Sequence, residues 1–399
     1  MREVRTVKVV LTVIAWVVAL VQIALAGRLV PRFVQSIRSE RVTAVVSGKV
    51  LDSATIVVPV LNERARIGPC LQTLSRQGSE VREILVVDGG SSDDTEEIVA
   101  RYASLDCRIR FVNAPPRPGD WNGKAWGLQS GLELASPDAE WIATIDADVQ
   151  LEPDAVRRLL AFARERDLDV LGVACGQRAG SPLLSLLHPS MLTTLVYRFG
   201  SPGRIATSVA DVQANGQLSL YRSNLMSRCG GFAVARDSVC EDFTIARHLH
   251  ACGARVGFYE ADGVAETEMH ASAIDCLRNW PRSLSLKDRF QPQAGVIGLL
   301  NLIFLQALPL IITIARPDMV ERNPLTRTVN RLLLFTRVGV LFGTRRAYTV
   351  AAWTYWLSPL ADPVTAVAYG ANLLKRTHTW RGQTLVRPGK EDSDVEAVA

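Results

Sequence analysis

The sequence predicts an α/β fold with a mostly parallel central sheet, carried between apolar ends that reach a membrane. Three observations predict it. Between residues 53 and 165, short β-branched runs alternate with segments of helical periodicity. Two uncharged stretches, residues 9–26 and Ala294–Ala315, are long enough to cross a bilayer. Aspartates 88, 146 and 148 stand where β-type runs end, not within them.

The elements follow in chain order. "SATIVVPVLNE" (53–63) is a buried strand that gives way to a loop after Pro59. "RARIGPCLQTLSRQ" is a helix with Ile67, Leu71 and Leu74 at helical spacing. "EILVVDGGSSDDTEEIVARYAS" reads as strand, glycine turn and helix. Ser92 or Asp93 is the expected N-cap, with Glu96 and Glu97 in the first turn. "RIRFVNAP" is a strand and "GKAWGLQSGLELA" a helix. "WIATIDADV" (141–149) is a strand, and "EPDAVRRLLAFARER" a helix with proline in its first turn. This alternation implies parallel strands covered by helices. Ligands of such sheets sit beyond the carboxyl ends of the strands, so Asp88, Asp146 and Asp148 should face one cleft.

The expected organisation is an anchor at 1–30, a catalytic domain at 45–290, membrane and interface helices at 291–376, and a disordered tail at 385–399. "ALA" before Gly27 resembles a signal-peptide cleavage site, but the long apolar core and the later apolar stretches favour an uncleaved anchor. Residues 347–373 carry Trp353, Tyr355, Trp356 and Tyr369, which suit a membrane interface, with Pro359 and Pro363 as breaks. Residues 329–343 read as an amphipathic helix in the interface plane. The number of C-terminal spans stays open. Arg28, Arg32, Arg38, Arg41 and Lys49 follow the first span, which places the catalytic region on the cytoplasmic side of the cell membrane. With a net charge of +5 and basic residues flanking the apolar segments, the partner is a lipid bilayer and not a nucleic acid. Seven unpatterned cysteines fit reduced thiols. Neither G-x-G-x-x-G nor G-x-x-x-x-G-K-[ST] is present, which argues against dinucleotide oxidoreductases and P-loop enzymes.

Two adjacent carboxylates repel, and a cation between them relieves the repulsion. Oxygen ligands suit Mg²⁺ or Mn²⁺, ions that also bind substrate phosphates and can neutralise a diphosphate leaving group. The competing role for the pair is an acidic turn ahead of the helix after Glu152 and Pro153.

In order, "VVPVLNE", "LVVDGGSSDDT", "WNGKAWGL", "TIDADV", "NGQLSLYRSNLMSRCGGF" and "CEDFTIARHL" resemble the family 2 glycosyltransferases over roughly residues 53–290. "GDWNGKAWGL", "NWPRSLSLKD" and "SPLADP…WRGQTL" are similar to a subgroup that glycosylates lipids such as carotenoids and hopanoids. The resemblance implies a GT-A nucleotide-sugar fold. It implies a nucleotide pocket lined by Pro59, Asn62 and Glu63, with Asp88 accepting from uracil or ribose and Lys124 beside the nucleotide. Asp146 would meet ribose or a metal-bound water, and Asp148 the metal. Gly216, Gln217, Gly230 and Gly231 would shape the sugar and acceptor sites, with Glu241 beside them. Asp242 would be the general base. Trp280 would stack on the acceptor or simply fill the core, and Arg282 would bind diphosphate. Two departures stand out: Gly89 replaces a second aspartate, and "RNWPRSLSLKD" lacks the Q-x-x-R-W of processive synthases, favouring single transfer. The implied activity is inverting transfer from a UDP-sugar to a hydroxyl or carboxyl of a membrane lipid. The alternatives are a polyprenyl-phosphate sugar transferase and a catalytically silent membrane scaffold.

Overall fold

The computed structural model describes residues 2–42, 52–261, 263–286, 288–291, 293–375, 377–380 and 383–386. Helices α1 (Arg2–Gly27) and α2 (Leu29–Ser36) open the chain. There follow β1 (Ala54–Val60), α3 (Ile67–Leu74), β2 (Val81–Asp88), α4 (Thr95–Ala103), β3 (Ile109–Asn113) and α5 (Gly123–Leu134). Next come β4 (Trp141–Ile145), β5 (Val149–Leu151), α6 (Ala155–Glu165), β6 (Val170–Ala174), β7 (Gly176–Ala179) and α7 (Pro182–Phe199). The middle closes with β8 (Arg204–Ile205), β9 (Leu218–Arg222), α8 (Ser223–Arg228), α9 (Glu241–Ala251), β10 (Val256–Glu260), β11 (Ala265–Thr267) and α10 (Ala273–Leu284). The remainder is α11 (Ala294–Asn301), a π-helical segment (Leu302–Ala307), α12 (Leu308–Ala315), α13 (Asp318–Glu321), α14 (Pro324–Thr344), β12 (Tyr348–Ala351), a 3₁₀ segment (Trp353–Ala361), α15 (Asp362–Leu374) and the hairpin β13 (Thr377–Trp380) and β14 (Gln383–Val386).

The main sheet has the order β3-β2-β1-β4-β9-β6-β10-β8. β1, β2, β3 and β4 run parallel, β9 is antiparallel to both neighbours, and β10 is parallel to β6. Ala54, Ile56, Val57 and Val58 of β1 are fully buried, as a central strand covered on both faces requires. The strand order reverses direction between β1 and β4, so the cleft lies beyond Val60 and Ile145. The expected α/β, mostly parallel sheet is therefore present.

Helix α5 lies directly on β1 and β2 because glycine faces the sheet. A Cβ at Gly131 would overlap Val57 Cγ1 and crowd Val87. Val57 is β-branched and fully buried, so it has no free rotamer to escape into. Gly131→Ala is expected to cost about 1–3 kcal/mol through overpacking, read as a lower midpoint of thermal unfolding.

Several local expectations change. "WIATIDADV" is not one strand: β4 stops at Ile145, and the chain turns through Asp146–Asp148 into β5 of a second sheet, ordered β12-β7-β11-β5. The Asp146 N–H bonds Gln217 O at 2.9 Å, and the Val149 N–H bonds back to Asp146 O at 3.0 Å, which makes the turn. The two carboxylates thus mark the point where the backbone leaves one sheet for another. Pro153 lies ahead of the first turn of α6, whose N-cap is Asp154 at φ 61°. Helix α4 has Asp94 as N-cap, without a side-chain bond; Asp93 instead accepts from the Thr95 N–H at 3.1 Å.

Toward the C-terminus, residues 347–373 do not form one helix. Their first part is β12, paired with β7, and Pro359 and Pro363 fall in the 3₁₀ segment and the first turn of α15. Residues 329–343 belong to the longer α14, which turns Leu332, Phe335 and Phe342 outward and buries Arg337. Arg337 pairs with the buried Asp362 at 2.9 Å and also bonds Ser358. Two segments, Val9–Ser36 and Ala294–Ala315, are long and apolar enough to cross a membrane. All seven cysteines are free thiols. Lys49 and most of the tail expected to be disordered lie outside the described residues.

Candidate active site

The loop after β4, the first turn of α5 and the first turn of α9 converge on one cavity of about 480 Å³. Lys124 is the joint between them. Its Nζ lies 2.7 Å from Asp146 Oδ1 and 3.2 Å from Glu241 Oε1, and it donates to Gly216 O at 3.2 Å. A Cβ at Gly216 would sit 2.5 Å from that Nζ, so glycine there leaves room for the ammonium. Burial works against the Lys124 charge, yet Asp146 and Glu241 outweigh it and hold its pKa above the usual value. The start of α5 is fixed by Asn122. Its side chain accepts from the Lys124 N–H at 3.0 Å and donates to Ser238 O at 2.9 Å, just ahead of α9.

Asp148 and Asp242 both border the cavity. Burial first, then Asp146, pushes the Asp148 carboxyl up to about 7, with Arg66 opposing. Asp148 Oδ1 is buried without a hydrogen-bond partner among the described residues. Burial first, then Glu241, pushes Asp242 up to about 7, with Lys124 opposing. A carboxyl poised there can hold or take a proton near neutrality. Lys124→Met removes the opposing cation. The acid limb of the activity profile is expected to move upward by about one pH unit, read from rates between pH 5.5 and 9.

An oxygen-seeking divalent ion fits this corner in part. The orphaned Asp148 Oδ1 and the neighbouring Asp146 carboxylate are hard ligands, suited to an ion completed by phosphate oxygens and water. Among the described residues no group of three or more His, Cys, Asp or Glu side chains is arranged to hold a metal by itself.

The other candidates divide. Pro59, Glu63, Gly216, Gln217, Glu241, Trp280 and Arg282 border the cavity. Asp88 and Asn62 do not line it. The buried Asp88 carboxylate accepts from the N–H groups of Gly90 (3.0 Å) and Ser91 (2.8 Å) and from the Ser91 hydroxyl. Asn62, at φ 56°, donates its N–H to Ser91 Oγ and accepts from the Ser92 N–H, each at 2.8 Å. Together they zip the loops after β1 and β2 into a rim. Gly230 and Gly231 lie elsewhere, in a left-handed turn against α5, where a Cβ on Gly231 would meet Gln129 at 2.8 Å. Neither borders the cavity. The Trp280 ring is 7% exposed and stacks on His188, with centroids 4.3 Å apart, so one face is already covered.

Sequence reasoning passed over Asn122, Arg66, His270 and the apolar face of α7. Asn122 had a signal, an N-cap residue ahead of "GKAWGL". The lone Arg66 and His270 had none.

Residues 55–243 match the model of Glycosyl transferase family 2. The chain is 39% identical over 118 residues to the lipopolysaccharide core biosynthesis glycosyltransferase LpsC of Rhizobium meliloti, covering 30% of this chain and 39% of that protein. It is 22% identical over 242 residues to a 4,4'-diaponeurosporenoate glycosyltransferase of Staphylococcus haemolyticus, covering 60% of this chain and 63% of that one. It thus spans less than two thirds of either relative. Among solved structures it is similar to the mannosyltransferase PcManGT of Pyrobaculum calidifontis, at 17% identity and a TM-score of 0.47, covering 88% of this chain and 99% of that one.

Proposed function

Since the chain carries a glycosyltransferase family 2 domain over residues 55–243, we propose that it moves a sugar from a UDP-sugar to a hydroxyl or carboxyl of a membrane lipid, with inversion at the anomeric carbon. The observation that carries this reading is the Lys124 bridge, which joins the Asp146 loop to the α9 first turn inside one cavity. Donor and acceptor groups are thereby held a few side chains apart.

Asp242 takes the acceptor proton as the new bond forms, and the nucleotide leaves from the opposite face. A poor nucleophile near pKa 15 gains most from such a base. Lys124 supplies fixed positive charge toward the departing diphosphate. Asp146 and Asp148 would hold Mg²⁺ or Mn²⁺, which when bound supplies further neutralisation of that charge. Pro59 and Glu63 border the donor end of the cavity, while the rim built by Asn62 and Asp88 sets its shape. The two long apolar segments and the outward Leu332, Phe335 and Phe342 of α14 support a lipid surface beside the domain. The positive-inside pattern supports a cytoplasmic catalytic side.

Arg66 and Arg282 border the same cavity and favour a second reading, in which the acceptor is a polyprenyl phosphate. A phosphate acceptor, like an ionised carboxyl, is already anionic and needs no base, so Asp242→Asn separates a hydroxyl acceptor from a phosphate.

The test is transfer from a panel of radiolabelled nucleotide sugars by membranes containing the full chain. Label extracted with lipids, and lost on chelation, is the expected result. Label found only in water-soluble products would refute a lipid acceptor.

A further inference from the structure

We propose that one apolar stripe of α7 seats the hydrocarbon chain of the acceptor, which enters from the bilayer past α2. This rests on the glycosyltransferase reading above and specifies where that same site tells a long-chain lipid from a polar acceptor.

Leu192, Leu195, Val196 and Phe199 border the cavity that contains Asp242. Their spacing of three, four and seven residues puts them on a single face of the helix. The rest of α7 is packed by the 3₁₀ segment, α10 and α15. On the stripe, however, Leu192 and Leu195 are only half-buried: they pack against neighbouring apolar core and also border the cavity. The stripe ends beside the chemistry: Phe199 stacks on Phe243, the neighbour of Asp242, with centroids 5.8 Å apart. A polar acceptor gains nothing from this wall, whereas a hydrocarbon chain leaves water on meeting it.

The same end of the stripe is tied to the apolar surface of the protein. Helix α7 stops at Gly200, φ 81°, where a Cβ would come 3.1 Å from Arg32 O of α2. Arg32 donates to Tyr197 O at 2.6 Å, and the Ser201 N–H donates to Ser36 Oγ at 3.0 Å. Gly200, Ser201 and Pro202 themselves border the cavity. On its other side α2 exposes Val30 and Val34, with Ile37 just beyond, continuing the outward face of α1 at Val13, Val17 and Leu20. An unpartnered apolar face of that length fits the bilayer. The lipid-facing helix, the α2–α7 junction and the neighbour of the base therefore meet at the Phe199 end of the stripe, which runs back from there along the cavity to Leu192.

The test uses the full chain in phospholipid nanodiscs and a 16-carbon fatty alcohol carrying a diazirine near its terminal methyl. After irradiation and digestion, mass spectrometry locates the adducts. Adducts on residues 192–199 are expected, reduced tenfold or more by Leu195→Trp, which fills the stripe. Leu192→Trp serves as the second variant if the first fails to fold. Adducts confined to α1 and the Ala294–Ala315 segment, or a yield at 192–199 that neither tryptophan changes, would overturn the inference. Calorimetric binding of UDP with Mn²⁺ to the unsubstituted chain separates the two levels. No UDP binding refutes the glycosyltransferase reading itself, whereas UDP binding without α7 adducts refutes only the hydrocarbon seat.

Discussion

Asp242→Asn is expected to slow sugar transfer by roughly 10²- to 10⁴-fold while donor affinity stays within about threefold. The substitution keeps shape and removes only the ability to take a proton. In the unsubstituted protein the Asp242 carboxyl is pushed up to about 7 by burial and by Glu241, with Lys124 opposing and Asp146 reinforcing. Below that pH the carboxyl is protonated and no longer a base, so the rate should fall about tenfold per pH unit on the acid side. In the Asn variant that limb should vanish together with the activity. Stability moves the other way. The folded pKa lies above the ordinary aspartate value of 3.8, so the contribution of this group is full below that value and lost as pH rises through about 7. At pH 8 the ionised carboxylate works against the fold, and the neutral Asn variant should melt at a higher temperature. A lower rate with a higher melting temperature is a combination that mere unfolding cannot produce. A variant that retained full transfer to a lipid hydroxyl would remove Asp242 from the role of base.

Asp148→Asn is expected to weaken Mn²⁺-dependent binding of UDP by roughly 100-fold or more, equivalent to about 3 kcal/mol, and transfer at least as much. The reason lies in the orphaned Oδ1, buried with no hydrogen-bond partner among the described residues. A carboxylate oxygen in that position costs free energy unless something positive completes it. Lys124 does not complete it, because its Nζ is engaged by Asp146 and Glu241. An amide oxygen carries no net charge and is a weaker ligand for a hard cation. Titration calorimetry with UDP and Mn²⁺ checks the prediction, and unchanged affinity would exclude Asp148 as a metal ligand.

Much of the architecture was legible in the residues. The runs "ATIVV", "EILVV" and "WIATI" are β-branched and short, and helical spacing of apolar residues separates them, so strand and helix were decided within windows of about ten residues. The carboxylate pair was legible for a similar reason: D-x-D directly after an apolar run places both groups at a strand end. What escaped was contact across long separations. Asn122 meets Ser238 across 116 residues, and neither segment advertises the other. The nucleotide role of Asp88 came from the resemblance, and what no local pattern disclosed is that its carboxylate accepts from Gly90 and Ser91 in its own loop. Nothing local marks Arg337 as the partner of Asp362, 25 residues further on.

The sequence alone thus determined the alternation of strands and helices, the apolar ends and the identity of the acidic residues, because backbone period and side-chain chemistry are local properties. The tertiary structure alone decided that Lys124 spans Asp146 and Glu241, that Asp148 Oδ1 has no hydrogen-bond partner among the described residues, and that one apolar stripe of α7 borders the cavity of Asp242. Those facts depend on how distant segments stack. Charge pairing and burial are set by neighbours in space, and period carries no information about which neighbours arrive.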